Sequence, residues 1–170
     1  MEDRFSALVR LHRVGLVGYL SRYVDTGTAE ELAADAFVAL WQRLPRLRED
    51  NLRAYLYTTG RNLARNHLRK LGRITSLEEM PLDLPAADTE LDALLIRDER
   101  RRIIHAALGD LSPDYRAVLH LLYFADLSPR EAGTVLGKSP KQMGNLTFRA
   151  KKALRHALIA RGITSADTDV

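Results

Sequence analysis

The chain has 170 residues, which suits one medium domain or two small ones, and 46% of them are hydrophobic, enough for a core. It contains no cysteine, and its five histidines do not cluster in sequence, which excludes a disulfide framework and a thiolate metal site. A formal charge of +4 and a pI near 9.6 favour a polyanionic partner. Since no apolar run approaches the length of a membrane span and the N-terminus lacks a signal-peptide core, we expect a soluble, cytoplasmic protein without membrane insertion.

Three helices are predicted in residues 1–71. Periodic apolar residues predict the first helix from about Asp3 to Tyr23. The run TAEE at residues 28–31 has the form of a capping box that opens the second helix, which Pro45 stops near residue 44. After a short polar loop at residues 46–51, a third helix is predicted from Leu52 to Lys70. No run of alternating β-branched residues indicates a sheet, so the predicted fold class is all-α.

The third helix has an unusual composition. Residues 51–71 combine two tyrosines and three asparagines with five cations and contain no acid. Rings beside cations and amides suit unstacked bases and a single-strand backbone. The alternative is an ordinary packed helix, with its rings in the core and its arginines in solvent.

An acidic segment separates the two basic parts of the chain. Residues 72–100 carry eight acids against three arginines, and Gly72, Pro81 and Pro85 give residues 72–87 the composition of a flexible linker. We therefore expect two small helical domains, at residues 1–71 and 88–162, followed by a frayed tail at 163–170. A fourth helix is predicted from about Asp88 to Leu108.

The second domain contains a helix-turn-helix pattern. A fifth helix begins at Ser112-Pro113, and the sequences SPRE at 128–131 and SPKQ at 139–142 each provide an N-cap serine, a proline at the first helical position and an acceptor three residues after the cap. Between them, Gly137 suits the left-handed conformation that ends a helix. A short helix, a glycine turn and a longer helix match this motif.

The longer helix has two predicted faces. Met143, Thr147, Ala150 and Leu154 share the inward face, while lysine, arginine and asparagine on the other face suit phosphates and base edges in a major groove. From residue 127 to 162 there are eight basic residues and one acid, Glu131. The alternative is a solvated basic face on an ordinary helical hairpin.

The ordered set of motifs resembles bacterial RNA polymerase sigma factors of the extracytoplasmic-function group, and this resemblance covers almost the whole chain. Residues 52–57 (LRAYLY), with 61–64 (RNLA) and 67–69 (HLR), look like the promoter-melting segment of that group. Residues 29–37 (AEELAADAF), with Leu40-Trp41, resemble its polymerase-binding helix. Residues 127–131 (LSPRE), 136–142 (LGKSPKQ) and 145–151 (NLTFRAK) resemble its helix-turn-helix.

The resemblance implies that this chain directs promoter recognition and transcription initiation. It implies core RNA polymerase as a partner, contacted at the β′ clamp and the β flap, and promoter DNA, single-stranded at a −10-type element and duplex at a −35-type element. An anti-sigma protein is a further implied partner, and neither a cofactor nor a metal is expected.

The same resemblance assigns three sets of residues. For the polymerase contact they are Asp35, Phe37, Leu40, Trp41, Arg43 and Leu44, with a core role as the alternative for Trp41. For the −10-type element they are Asn51, Leu52, Arg53, Arg61, Asn62, Arg65 and Arg69. For the −35-type element they are Lys138, Ser139, Lys141, Gln142, Asn145, Phe148, Arg149, Lys152 and Arg155.

Three other classes of protein fit the sequence less well. A stand-alone helix-turn-helix regulator predicts tight DNA binding without polymerase, whereas a sigma factor predicts transcription only with core enzyme. An enzyme is disfavoured because the sequence has no metal spacing, glycine-rich phosphate loop or nucleophile motif. A sigma-like scaffold that binds polymerase but does not melt DNA is disfavoured by the basic, ring-bearing third helix.

Overall fold

The computed structural model describes residues 1–72 and 99–163, and all regular structure in these two ranges is helical. The first range forms a three-helix unit: α1 (Glu2–Leu20), α2 (Thr26–Arg43) and α3 (Leu52–Lys70), with α2 packed against both others. Two 3-10 turns, Leu44–Arg46 and Glu49–Asn51, connect α2 to α3 where the sequence predicted a plain loop. The predicted third helix is confirmed at both ends.

The second range contains four helices: α4 (Glu99–Gly109), α5 (Pro113–Leu119), α6 (Pro129–Leu136) and α7 (Pro140–Ala160). The long α7 packs against α4, α5 and α6. Outside the described residues lie the predicted start of the fourth helix near residue 88, the predicted linker beyond Gly72 and the tail beyond residue 163. None of the helices in the described ranges has both the length and the apolarity to cross a membrane.

The predicted start of the second helix is wrong. The helix begins at Thr26, and its N-cap is Asp25, whose Oδ1 accepts a hydrogen bond from the Thr28 backbone N–H at 3.0 Å while Oδ2 accepts from the Thr28 hydroxyl at 2.8 Å. Hydrogen bonds from Thr28 lower the pKa of the Asp25 carboxyl. A carboxylate is a strong cap, and it starts the helix two residues before the predicted threonine box.

A π-helical turn, His120–Phe124, follows α5 directly. It ends with the Ala125 N–H donating to the His120 carbonyl at 2.9 Å, and Asp126 then takes a left-handed conformation with φ 56°. Such wide turns are rare and occur mostly at functional sites. Here the turn moves the chain from α5 to the start of α6 and carries His120 to the boundary between the two units.

One continuous apolar core runs through both units. It extends from Leu16 and Tyr19 in α1, through Leu52 and Leu56 in α3, to side chains of the second unit that include Leu127 and Val135. The closest packing between the units is that of α3 on α6. The chain therefore adopts a closed arrangement, in which the helix-turn-helix unit lies against the N-terminal end of α3.

Candidate nucleic-acid interface

The helix-turn-helix has the predicted geometry. Ser128 and Ser139 each accept a hydrogen bond from the backbone N–H three residues ahead, and the side chains of Glu131 and Gln142 accept from the two serine N–H groups, so both capping boxes are complete. Gly137 ends α6 with φ 66° and ψ 36°. Local sequence thus fixes both helix starts and the turn between them.

Gly133 allows α6 and α7 to approach closely. A Cβ placed there would lie 3.0 Å from the Lys138 carbonyl oxygen and 3.0 Å from Cγ of buried Met143. A side chain at this position would separate the two helices, since one of these two neighbours is backbone and cannot move easily. The glycine therefore sets the angle at which α7 is presented.

Helix α7 presents an exposed polar and basic face. The side chains on this face belong to Lys141, Gln142, Asn145, Arg149, Lys152 and Arg155, all exposed. Ser139 is exposed and Lys138 half-buried at the turn. In the capping box the Ser139 hydroxyl oxygen and Oε1 of Gln142 both act as acceptors, which leaves the Ser139 O–H and the Gln142 amide NH₂ as donors.

Phe148 lies on the same exposed face of α7. Its side chain is 70% exposed, although a benzyl group favours burial. An unburied ring among lysines and arginines is available to a thymine methyl group in a major groove. The inward face contains Met143 and Ala150, both buried, as predicted.

Most arginines on helix α3 are more buried than the basic residues on the exposed face of α7. Arg61, Arg65 and Arg69 share one face with Asn62, spaced at about one turn. The Nε atoms of Arg61 and Arg65 are buried and have no hydrogen-bond partner among the described residues. Burial, followed by the neighbouring charge of Arg61, lowers the pKa of Arg65. Half-buried cations with no carboxylate partner in residues 1–72 and 99–163 favour an anion at this face.

Two residues of α3 have structural roles that differ from those expected. Leu52 is 2% exposed and belongs to the core, so its side chain is not available to a flipped base. Tyr57 is fully buried, and burial raises the pKa of its hydroxyl well above the usual range. The ring therefore packs in the core, whereas Tyr55 is half-buried.

The expected polymerase-binding residues divide by burial in the same way. Phe37, Leu40 and Leu44 are between 1% and 6% exposed, because α2 uses that stripe to pack on α1 and α3. Asp35 and Arg43 are exposed, and half-buried Trp41 packs edge-on to Phe5 with ring centroids 5.0 Å apart. Val38 is 56% exposed on the same surface, and sequence periodicity did not single it out.

Arg53 links the two units. Its Nε and Nη2 atoms donate to the two carboxylate oxygens of Glu131 at 3.0 and 2.8 Å, and Nη1 donates to the Asp126 carbonyl at 2.7 Å. The Glu131 side chain is 8% exposed and also accepts from the Ser128 N–H. Beside this pair, Arg130 contacts the side-chain oxygen of Asn51 at 3.3 Å. The structure thus brings Asn51 and Arg53 against α6, away from Arg61, Asn62 and Arg65.

Sequence reasoning missed the second role of Glu131 and the contribution of His120. Glu131 is the lone acid in a basic segment, and this could have indicated its pairing with a distant cation. Its place in a capping box was a sufficient local reason for an acid at this position. His120 gave no signal. Among the described residues, no group of three or more His, Cys, Asp or Glu side chains could hold a metal ion.

Comparison with known proteins agrees with this architecture. The profile of Sigma-70 region 2 matches residues 8–74, and the profile of Sigma-70, region 4 matches residues 101–154. The RNA polymerase sigma-H factor of Pseudomonas aeruginosa is 28% identical over 91% of this chain and 86% of its own length. The ECF RNA polymerase sigma-E factor of Escherichia coli K12 is 24% identical over 90% of this chain and 85% of its own length.

A solved structure has the same fold. It is the sigma factor RpoE of Bartonella quintana, crystallised in complex with the anti-sigma factor NepR, which aligns with a TM-score of 0.62 at 22% identity. The alignment covers 94% of this chain and 98% of that one.

Two helical units with a basic α3 and a helix-turn-helix, matched in order by regions 2 and 4, define a sigma-70-type transcription initiation factor. The chain belongs to the extracytoplasmic-function group of the sigma-70 family. It acts as an alternative sigma factor, which binds core RNA polymerase and directs it to promoter DNA. The stand-alone regulator is not favoured.

Proposed function

We propose that the three surfaces described above divide the work of initiation. The exposed face of α7 reads duplex DNA at the −35-type element, the face of α3 holds the opened strand at the −10-type element, and the exposed side of α2 contacts core polymerase. We propose the corresponding domain bounds as 1–71 and 88–162, joined by residues 72–87 and followed by a tail at 163–170.

The buried Nε atoms of Arg61 and Arg65, which have no hydrogen-bond partner among the described residues, are the observation that carries this proposal. A structural helix would pair such groups with a carboxylate, since unpaired buried donors cost about 1–3 kcal/mol each. Phosphate oxygens of a single strand can satisfy both arginines. Asn62, exposed beside them, supplies an amide for a base edge.

Run-off transcription with purified core polymerase tests the proposal across a library of promoters. Wild-type chain should support initiation only in the presence of core enzyme. Arg65→Ala should lower initiation on duplex templates by about tenfold, and by less on templates whose −10-type element is already unpaired, because the held strand then no longer has to be opened. Arg10→Ala, an exposed arginine on α1, is the matched control. An equal loss on both templates contradicts a role for α3 in holding the opened strand.

For the polymerase contact, we propose Asp35, Trp41 and Arg43, with Val38 as an added apolar contact. The buried residues Phe37, Leu40 and Leu44 support this surface from beneath. Val38→Glu places a charge where the apolar contact is expected and should abolish co-purification with core enzyme. Val14→Glu, at a 66% exposed valine of α1, is the control and should co-purify normally. Equal behaviour of the two variants contradicts the assignment to α2.

We also propose an anti-sigma protein as a partner. The support is the Bartonella quintana sigma factor, whose structure is a complex with the anti-sigma factor NepR and whose fold this chain shares. The test is recovery of a protein from the native host on immobilised chain, followed by its purification. That protein should suppress run-off transcription in proportion to its concentration. A recovered protein without this effect does not fit the proposal.

The family consists of sigma factors, which are not enzymes. We propose that this chain likewise has no catalytic activity of its own and that it works in the cytoplasm, where polymerase and promoters are found.

A further inference from the structure

An open groove with a volume of about 740 Å³ runs between α6 and α7. Glycines line it on both helices: Gly133 on α6, and Gly144 on α7, where an added Cβ would meet nothing within 4 Å. Met143, which is 2% exposed, forms the floor between them. Because two positions lack side chains, the groove has room for groups from another molecule.

The interior of this groove is largely apolar. Besides Met143, it is lined by Pro129, Pro140 and the exposed ring of Phe148. At one end lies Lys151, whose Nζ is 5.7 Å from the ring centroid of Tyr123, itself an exposed ring of the π turn. Apolar surface that stays in water is stabilised when a partner covers it, so a patch of this kind indicates an interaction site.

The rim of the groove is cationic. Arg130, Lys138 and Lys151 line it, and no acidic side chain lines it among the residues that the structure describes. The carboxylate of Asp50 lies 3.8 Å from Arg130, but both side chains are largely exposed, so this pair leaves most of the charge in solvent. The rim therefore complements a partner that carries aspartates and glutamates.

The dimensions of the groove suit an α-helix. On α7 its lining extends from Pro140 to Lys151, about three helical turns or ~17 Å. An amphipathic helix has apolar residues at i, i+4 and i+7 on one stripe, which such a groove accepts, and acids beside the stripe would meet the rim. Duplex DNA fits less well, because its backbone is anionic throughout and has no apolar stripe to bury against Met143.

The groove also adjoins the base-reading face of α7. Phe148 belongs to both surfaces, since it lines the groove and lies among the −35-type candidates, and Lys138 is shared in the same way. A helix that covers Phe148 therefore overlaps the position of a bound duplex. Core polymerase must hold the chain while the duplex is bound, so it is not the occupant of this groove.

We propose that the groove between α6 and α7 is a docking site for an acidic, amphipathic helix of a partner protein, and that docking there excludes duplex DNA from α7. The apolar stripe of the helix contacts Met143 and Phe148, and its carboxylates pair with the rim cations. Competition with the duplex rests on the proposed function of α7, since only a helix that reads DNA can be blocked in this way.

Selection from a display library of helical peptides tests the docking site. Peptides of about 15 residues, randomised among apolar, acidic and basic residues, are selected on the immobilised full chain. Enriched peptides should have apolar residues at i, i+4 and i+7, flanked by aspartates or glutamates. The affinities of the enriched peptides are then measured individually by fluorescence anisotropy.

Two variants test whether these peptides lie in the groove. Gly144→Leu fills it and should weaken peptide binding by more than about tenfold, while leucine favours the helix more than glycine does. Ala160→Leu, at an exposed position near the end of α7, is the matched control. Lys151→Glu reverses a rim charge and should weaken binding about fivefold, whereas Lys70→Glu, at an exposed lysine of α3, should not change it.

Run-off transcription tests the competition with DNA. An enriched peptide, added to wild-type chain before core polymerase and promoter, should suppress transcription in proportion to the fraction of chain that it occupies. Bound peptide without suppression overturns the exclusion of duplex DNA. Equal weakening in Gly144→Leu and Ala160→Leu, or enriched peptides without acids, overturns the docking site.

Two further results separate the possible failures. If no peptide is enriched and Gly144→Leu weakens duplex binding, the groove serves DNA itself and the docking site is wrong. If wild-type chain initiates with core enzyme while no peptide binds, the docking site alone fails. If wild-type chain does not initiate at all, the proposed function fails as well.

Discussion

Helices α3 and α7 both carry arginines, lysines and asparagines, yet their cations stand in different environments. On α7 the charged groups project into solvent from a helix that is held by two complete capping boxes. On α3, Arg53, Arg61 and Arg65 are half-buried, and Arg53 is bonded to the neighbouring unit. The difference teaches that similar composition can give one surface ready to bind a duplex and another that depends on a rearrangement.

The largest effect should come from separating α6 and α7. Gly133→Val places methyl groups against the Lys138 carbonyl and Met143, and overpacking of this kind costs about 3 kcal/mol. We expect loss of duplex binding, measured by fluorescence anisotropy, while single-strand binding through α3 persists. Gly144→Ala, at an open position of α7, should be neutral or stabilising in urea unfolding. Loss of both DNA activities in Gly133→Val would mean that the two helices do not act separately.

Single substitutions on the exposed face of α7 should have a smaller effect on DNA binding. They distinguish the residues that read bases from those that contact phosphates. Arg149→Ala should weaken duplex binding by about 2 kcal/mol at one base position, whereas Lys152→Ala should weaken binding to all sequences alike and reduce the salt dependence. Binding constants on a set of single-base promoter variants, each at several salt concentrations, distinguish the two. A uniform loss in Arg149→Ala contradicts a base-reading role.

A third prediction concerns pH and bears only on the closed arrangement. Burial, and then the charge of Arg22, lowers the pKa of His120 from 6.5 to about 3. In the separated form the pKa returns towards 6.5, so protonation favours separation, and the stability of the closed form is lost as pH falls from 6.5 towards 3.

At pH 5.5 the loss should be about 1.4 kcal/mol, one pH unit below the unshifted value. The pKa of His12 is lowered by burial and then by Arg53 of the same unit, whereas Glu131 and Asp126 of the second unit raise it, so the contributions of His12 oppose one another. Energy transfer between two fluorophores, attached to cysteines introduced at the exposed positions Arg10 and His156, reports the separation of the units. It should fall between pH 7.5 and 5.5. His120→Gln should remove most of that dependence. A pH response of unchanged size in this variant assigns the effect to other groups.

The smallest effect should come from Tyr57→Phe, which alters a ring that stands among cations and amides in the sequence, as a base-stacking ring would. The Tyr57 hydroxyl is buried without a hydrogen-bond partner in the described structure, so Tyr57→Phe should leave stability unchanged or raise it by up to about 1 kcal/mol. Single-strand affinity should not change. Tyr19→Phe, which removes the 3.0 Å bond from the Tyr23 hydroxyl, should cost about 1 kcal/mol in urea unfolding. Weaker single-strand binding in Tyr57→Phe would restore a DNA role for this ring.

Sequence reasoning succeeded at several features that local interactions decide. The bounds of α3, the two capping boxes and the left-handed Gly137 depend on residues within four positions of each other, and all are confirmed. It failed at the start of α2, where Asp25 was a stronger cap than the predicted threonine. The π turn was also missed, since a widened turn has no clear sequence pattern.

Burial divided the candidate residues in a way that periodicity could not predict. On a helix such as α2, the apolar residues that pack in the core and those that contact a partner lie on overlapping stripes. Phe37 and Leu40 were therefore expected at the polymerase contact although they are buried, and exposed Val38 was not expected there. The resemblance assigned Leu52 to the −10-type element, and its side chain lies in the core, as does the ring of Tyr57. Only the positions of α1 and α3 relative to these side chains decide which of them reach solvent.

By itself, the sequence determined the all-helical class, the helix-turn-helix and the ordered set of motifs that identifies a sigma factor, because capping, periodicity and charge order act over short distances along the chain. The tertiary structure alone decided that Arg53 meets Glu131, 78 positions away, and that His120 enters a notch formed by two glycines. Such contacts depend on how packed helices place distant side chains, and neither partner's local sequence records the other.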